Sequence, residues 1–181
     1  MSSNPFDQIR FDKLQPEHLF ALDPQDSQVL QYGIPVSELA WSEAQGVADN
    51  ELTFAAMQGD KVLACMGIVE TFAGCQGTAF GLFAPALGRA WLPITDFARD
   101  HIIMESPLKR LEAIVRCQDI PDWVTDEPCP KIRSAIMVEW AAREASPQVR
   151  WAMKVGLEPS AVLRSYGAAH EDHMLLERIL P

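Results

Sequence analysis

Two imidazoles and two carboxylates stand together in His170-Glu171-Asp172-His173, a set that suits zinc or nickel if the side chains converge. Histidines three apart in a turn rarely converge. The segment follows Gly167 between two apolar runs, so it reads as a hairpin connection, and no metal ligand is assigned. Glu70, closing an apolar run, is the candidate catalytic base; a lone Glu at a strand end is otherwise a solvated surface group. His101 recurs among the apolar residues of a helical stretch and is expected to pack in or beside the core, whereas His18 belongs at the surface. Gly74-Cys75-Gln76-Gly77-Thr78-Ala79-Phe80-Gly81 has neither the G-x-G-x-x-G nor the G-K-[ST] of a nucleotide loop, and a strand follows it where such loops open a helix. A turn leading into a glycine-containing strand accounts for it. The sequence holds no G-x-S-x-G nucleophile elbow, so a serine hydrolase has no support. Cys65, Cys75, Cys117 and Cys129 form no C-x-x-C pair, and their gaps fit neither a zinc ribbon nor a secreted disulfide framework. Cys65 and Cys117 lie in apolar runs and read as small buried hydrophobes.

The elements that must position these residues are legible in outline. Phe6–Phe11 reads as a strand, followed by short helical pieces near Leu19, Leu22, Val29 and Leu30, broken by Pro24, Gly33 and Pro35. Val36–Glu43 is long enough for one short helix. Leu52–Met57, a turn over 58–61, and Val62–Glu70 form a hairpin, and Thr78–Ala84 adds a third strand. Trp91, Ile94, Phe97, Ala98, His101 and Ile102 recur at helical spacing, with Pro93 tolerated in the first turn only. Leu108–Cys117 reads as a strand. Residues 118–131 form an acidic, proline-marked loop, and Ile132 to Ala141 form an amphipathic helix. Ser146-Pro147 starts a further helix by capping, and Gly156 ends it. Val162–Tyr166 and Met174–Ile179 close the chain as paired strands. This order predicts one α+β domain over residues 1–181, with an inserted loop and helix at 118–145. Its mixed, twisted sheet should have about six to seven strands with helices on both faces, and the strands flanking 92–106 should run parallel. Of the five tryptophans, Trp41, Trp91, Trp140 and Trp151 are expected in the core; Trp123, in the acidic loop, is expected at the surface as a partner anchor.

Composition narrows the classes. Over 181 residues, 48% are apolar and 22% charged, near the averages of a globular domain, which excludes disorder and coiled coil as the main architecture. A formal charge of −10 repels phosphate backbones, so nucleic acid is not expected as a partner. No apolar run reaches the ~18 residues of a membrane span, and no basic-then-apolar leader opens the sequence. The expectation is a soluble, acidic, intracellular protein.

The strand order resembles the GCN5-related N-acetyltransferase (GNAT) superfamily. The closing segment SPQVRWAMKVGLEPSAVLRSYG, followed by HMLLERI, is similar to that family's capped helix, Gly step and final hairpin. The resemblance implies acetyl-CoA as cofactor, with its pyrophosphate on a Q/R-x-x-G-x-G/A loop opening the central helix. There, backbone N–H groups must approach the phosphate oxygens unobstructed. The matching region, Pro85-Ala86-Leu87-Gly88-Arg89-Ala90-Trp91, has one glycine for two, and Trp91 and Pro93 crowd the entry. Gly88, Arg89 and Ala90 are the candidate cofactor-binding residues of this degenerate loop. The Tyr that many members place four residues before the closing Gly, as acid for the departing thiolate, is Ala152 here. Trp151 beside it carries only an indole N–H.

A narrower resemblance is to an internal virion protein of short-tailed bacteriophages, through Val149-Arg150-Trp151-Ala152-Met153-Lys154-Val155-Gly156. It implies a non-catalytic scaffold without cofactor, located in the cytoplasm or the virion and acting through protein partners such as other virion components. The alternative is an active acyl-CoA-dependent N-acetyltransferase on an unknown amine, with Glu70 or a water as base. The gap at Ala152 is expected to be filled by Trp151 and Met153. The cleft between strands 78–84 and 108–117 should then be narrow and blocked at its mouth by Trp91.

Overall fold

The computed structural model describes residues 9–25, 28, 38–167 and 169–180. Thr53–Gln58 (β2) and Lys61–Phe72 (β3) pair antiparallel across the two-residue turn Gly59-Asp60, where Gly59 takes φ +60°, the left-handed conformation such a turn requires. Ile9–Lys13 (β1) flanks β2, and Gln76–Phe83 (β4) flanks β3. After β4 the chain leaves the sheet through a 3-10 turn at Gly88–Ala90, the helix Trp91–Phe97 (α3) and its π-helical continuation Ala98–Met104. It re-enters as Arg110–Arg116 (β5), parallel to β4. His173–Ile179 (β7) pairs with β5, and Glu158–Leu163 (β6) forms the edge. The sheet has seven strands in the order β1-β2-β3-β4-β5-β7-β6, the mixed α+β sheet that the sequence predicts.

Pro16–Ala21 (α1) and Trp41–Ala48 (α2) cover one face of the sheet, burying Leu19, Ala44 and Ala48 against Ala55, Val62, Cys65 and Leu82. The other face carries α3 and its continuation. The helices Asp122–Thr125 (α4), Pro130–Arg143 (α5) and Pro147–Lys154 (α6) pack there as well, around Met66, Ile94, Leu111, Val149 and Leu176. The capped start of α6 is as expected: Ser146 Oγ accepts from the Val149 N–H at 3.2 Å, and Gly156 beyond its end has φ +101°. No helix among the described residues is long and apolar enough to cross a membrane.

Several expectations are corrected. The helix predicted over 36–43 runs from Trp41 to Ala48, because the Glu43 carboxylate accepts from the Ala40 N–H at 2.9 Å and the buried pair Ala44/Ala48 supplies its inner face. The expected Phe6–Gln8, Val29, Leu30 and Val36 lie outside the described residues. The strand expected at 162–166 is β6, Glu158–Leu163, and Tyr166 stands exposed beyond it. The acidic loop contains the single turn α4. Trp41 is 54% exposed and stacks on Phe20 at the surface. His18 is half-buried, its Nδ1 accepting from the Gln15 N–H at 3.1 Å. His101 is exposed rather than packed and meets Glu105 at 3.1 Å. The π-helical turn is the reason: i→i+5 bonding widens the helix, so a 3.6-residue count from Trp91 no longer reports which side faces the core.

Candidate active-site cleft

β4 and β5 are bonded over three residues only, Gln76–Thr78 against Arg110–Glu112. Beyond Thr78 they diverge. The β4 groups that would have faced β5 are taken by a turn from the N-terminal part of the chain. Gln28 Nε2 donates to Gly81 O at 2.9 Å, and Gln28 Oε1 accepts from the Phe83 N–H at 2.9 Å. The Gln25 N–H donates to Phe83 O at 3.0 Å, and the Gln28 N–H closes the turn onto Gln25 O at 2.8 Å. The Gln28 carboxamide thus does for the strand edge what a neighbouring peptide group would do, and Gln28 is 6% exposed.

An open cavity of ≈ 110 Å³ fills the divergence. Ala79 and Ala113 stand where the strands part; Phe83, Trp91, Gln25 and Gln28 stand at the wide end. The side walls are Ala98, Ile102 and Ile103 from the π-helical segment and Trp151, Ala152 and Val155 from α6 with the residue after it. No titratable side chain is among the described residues that line it.

The expected narrow, blocked cleft is therefore corrected: the strands splay and the space reaches Ala152. The aromatic side chains that could have closed it are held against one another. Phe83 meets Trp91 and Trp151 edge-on, with ring centroids 5.1 and 4.8 Å apart. Trp151 Nε1 donates to Thr95 Oγ1 at 3.0 Å, and that hydroxyl donates to Trp91 O at 2.7 Å. Gly81 makes room for the cluster, since a Cβ there would stand 2.8 Å from Phe83 Cζ and 3.4 Å from Trp151 Cζ3. Met153 points outward, 38% exposed. Trp91 lines the wide end without sealing it.

Glu70 is not brought to this cleft. It is paired with Gly77 at the joined end of β3 and β4, and its carboxylate accepts from the Gly74 N–H of the turn at 3.0 Å. The His170–His173 segment separates in space. His170 is exposed in the turn, while His173 is buried in β7 with its ring against Tyr166. Asp172 accepts from the N–H groups of Ile120 and Ser165 at 3.0 and 2.9 Å and pairs with Arg164 at 3.1 Å. Backbone N–H groups, its own and that of Ala169, hold the Glu171 carboxyl below its ordinary range. Asp172 ties the β6–β7 connection to the loop after β5, and the Glu171 carboxylate holds the connection to itself. Among the described residues no group of three or more His, Cys, Asp or Glu is placed to hold a metal ion. Cys65 and Cys117 are buried, and burial pushes both thiols up to about 12.

No protein-family model and no curated protein matches the sequence. Solved structures do. The loading GNATL domain of CurA from Lyngbya majuscula aligns at TM-score 0.62 and 15% identity, covering 96% of this chain and 98% of that one. The aminoglycoside 6'-N-acetyltransferase from Enterococcus faecium aligns at 0.63 and 12%, covering 95% and 98%. An aminoglycoside 6'-N-acetyltransferase complexed with coenzyme A aligns at 0.61 and 10%, covering 95% and 98%. The chain has the GNAT fold.

In this GNAT fold, the loop that follows β4 leads from the wide end of the cleft into α3. Gly88 has φ +54°, is exposed, and would meet nothing within 4 Å with a Cβ added. The Ala90 N–H is used inside the turn, donating to Leu87 O at 3.0 Å. The N–H groups of Gly88 and Arg89, as first-turn donors, have no partner within the helix, and the Arg89 side chain is exposed beside them. Neither Gln25 nor Gln28 carried a sequence signal, because a glutamine in a loop has no spacing rule. The approach of Gly81 to Trp151 was equally silent.

Proposed function

We propose that this chain binds an acyl-CoA in the β4–β5 cleft and transfers the acyl group to an amine by positioning rather than by side-chain acid–base chemistry. The observation that carries the reading is the splay itself. The strands part after Thr78, and the space between them, ≈ 110 Å³, is kept open by aromatic packing and by Gln28. The residues present suit the cofactor in kind. Gly88 and Arg89 would offer N–H groups and a guanidinium to the diphosphate at a helix start, Ala90 would keep that approach uncrowded, and the cleft between the strands would take the arm. The cofactor supplies an acyl group activated as a thioester.

The chain's contribution is then orientation, exclusion of water and shape, effects worth several orders of magnitude in rate on their own. Glu70 is too far along the sheet to serve as the base in this arrangement. The acceptor must lose its own proton, which favours an α-amine with a pKa near ~8 over a lysine near ~10.4. The negative net charge favours a cationic acceptor molecule over an anionic one.

Calorimetry with CoA and acetyl-CoA should give micromolar binding, and absence of binding refutes the proposal. Transfer to a panel of amines, read by mass spectrometry, should rise about tenfold per pH unit up to the acceptor's pKa. A profile breaking between pH 5 and 7 would reveal a base on the protein and overturn the positioning mechanism.

A second reading has a specific observation in its favour. A cleft with no titratable side chain among its described lining residues also fits a scaffold that transfers nothing and works through protein contacts, as a virion-associated component would, with Trp123, 64% exposed on α4, as an anchor. Absence of CoA and acetyl-CoA binding selects that reading, and micromolar binding counts against it.

A further inference from the structure

We infer that the outer face of the α1–α2 layer docks a basic polypeptide segment through an arginine. The inference uses none of the cleft residues and is independent of the acyl-CoA reading. Phe20, in the last turn of α1, and Trp41, the first residue of α2, lie parallel, with ring centroids 5.6 Å apart and planes 7° from each other. Neither ring enters the core: Trp41 is 54% exposed and Phe20 37%. Leu19, Ala44 and Ala48 supply the contact between these helices and the sheet, so the stacked pair is aromatic area that the layer leaves in water.

Charge around the rings selects the occupant. From Leu14 to Asp60 the sequence has eight carboxylates and no lysine or arginine, against a formal net charge of −10 for the whole chain. Glu17 and Asp23 flank Phe20 in sequence, and Glu38 and Glu43 flank Trp41. All four are exposed, and none makes an ion pair among the described residues. Lys13, just before this stretch, is held at the turn after α2, where it donates to Asn50 O, Glu51 O and Thr53 Oγ1. An aromatic pair flanked by such carboxylates suits a guanidinium in two ways. The planar cation stacks on an indole face, and its N–H fork donates to a carboxylate. A lysine ammonium has no plane to stack. Single exposed ion pairs are worth little, so a ligand must engage several carboxylates at once, and these are divided between two helices. A polypeptide with several cations does that; a lone small cation does not.

The probe is a fluorescein-labelled peptide of alternating arginine and serine, titrated with the full chain and read by anisotropy. It should bind, and weaken severalfold as salt rises from about 50 to about 300 mM. Trp41→Ala should weaken binding about two- to fivefold. Glu17→Gln combined with Glu38→Gln, both at exposed positions, should do the same and carries the test if Trp41→Ala does not fold. Trp123→Ala, and Asp122→Asn combined with Asp126→Asn, remove an exposed tryptophan and two exposed carboxylates elsewhere, and should change affinity by less than about twofold. A lysine–serine peptide should bind more weakly than the arginine one, and the difference should shrink in Trp41→Ala. Absence of binding, an equal loss in the acidic-loop variants, or displacement by spermine as effective as by unlabelled peptide of equal charge would each overturn the inference, whatever the cleft does with CoA.

Discussion

Gln28→Leu is the perturbation that tests how the cleft is held open. The substitution keeps the volume and removes two hydrogen bonds of 2.9 Å each, one to Gly81 O and one from the Phe83 N–H. Phe83 is 5% exposed, so water does not replace the lost acceptor for its N–H. A buried donor left alone costs about 1–3 kcal/mol. Gly81 O faces the cleft, where water can reach it, and the loss there is nearer the net value of about 0.5–1.5 kcal/mol. Together the variant should lose about 1.5–4.5 kcal/mol. For a chain of 181 residues that lowers Tm by roughly 3–18 °C, at about 2–4 °C per kcal/mol. Urea denaturation followed by tryptophan fluorescence should show a lower midpoint at unchanged slope. Amide exchange should quicken at Phe83, tenfold or more by order of magnitude, while the Ala84 N–H, bonded to Leu63 O on the other side of β4 at 2.9 Å, stays protected. A stability change under about 0.5 kcal/mol with unaltered exchange at Phe83 would refute the account, since surface-like tolerance means the carboxamide holds nothing.

Three other outcomes follow from the geometry. Arg178→Met should destabilise by about 2–4 kcal/mol in urea, because the guanidinium donates to the carbonyl of Ile103 near the end of the π-helical segment and to those of Ser106 and Leu108 in the connection to β5, and these carbonyls lose charge-assisted bonds. A thiol reagent at neutral pH should label Cys75 and Cys129 and spare Cys65 and Cys117, whose thiols burial pushes up to about 12; peptide mapping by mass spectrometry reads this directly. The Glu171 carboxyl, held low by backbone N–H groups, contributes stability that is present above its ordinary value of 4.5 and is lost as pH falls through its lower folded value. Glu171→Gln should therefore narrow the stability gap between pH 7 and pH 3.5 in urea melts, and an unchanged gap would count against the assignment.

How much of this was legible in the sequence depends on the range of the interactions. The β2–β3 hairpin, the Ser146 cap and the Gly156 stop are local, set by residues within a few positions of one another, and the structure has them where the pattern put them. The parallel β4–β5 pair followed from the helix between them, since a crossover leaves little choice of direction. The cleft did not follow. Its width is decided by Gln28 meeting Gly81 more than fifty positions away and by Trp151 donating to Thr95, and no spacing rule links residues so far apart. His101 fell to a different cause, a π-helical turn that breaks the 3.6-residue count on which its placement rested. Large apolar residues near Ala152 suggested collapse, because packing normally consumes a void. What composition could not register is that Trp91, Trp151 and Phe83 satisfy one another first.

That order of satisfaction bears on what the cleft can mean. The splay is set by a backbone divergence, a glutamine turn and three rings packed edge-on and tilted against one another, none of which has to move a proton. The ring cluster does not rest on the Ala152 side chain, so the openness of the cleft is independent of whether a proton donor stands at that position, and an open cleft argues for binding more strongly than for turnover. The described residues that line the cleft are mainly apolar, with the carboxamides of Gln25, Gln28 and Gln148 among them, so the cleft suits a ligand whose buried part is largely uncharged.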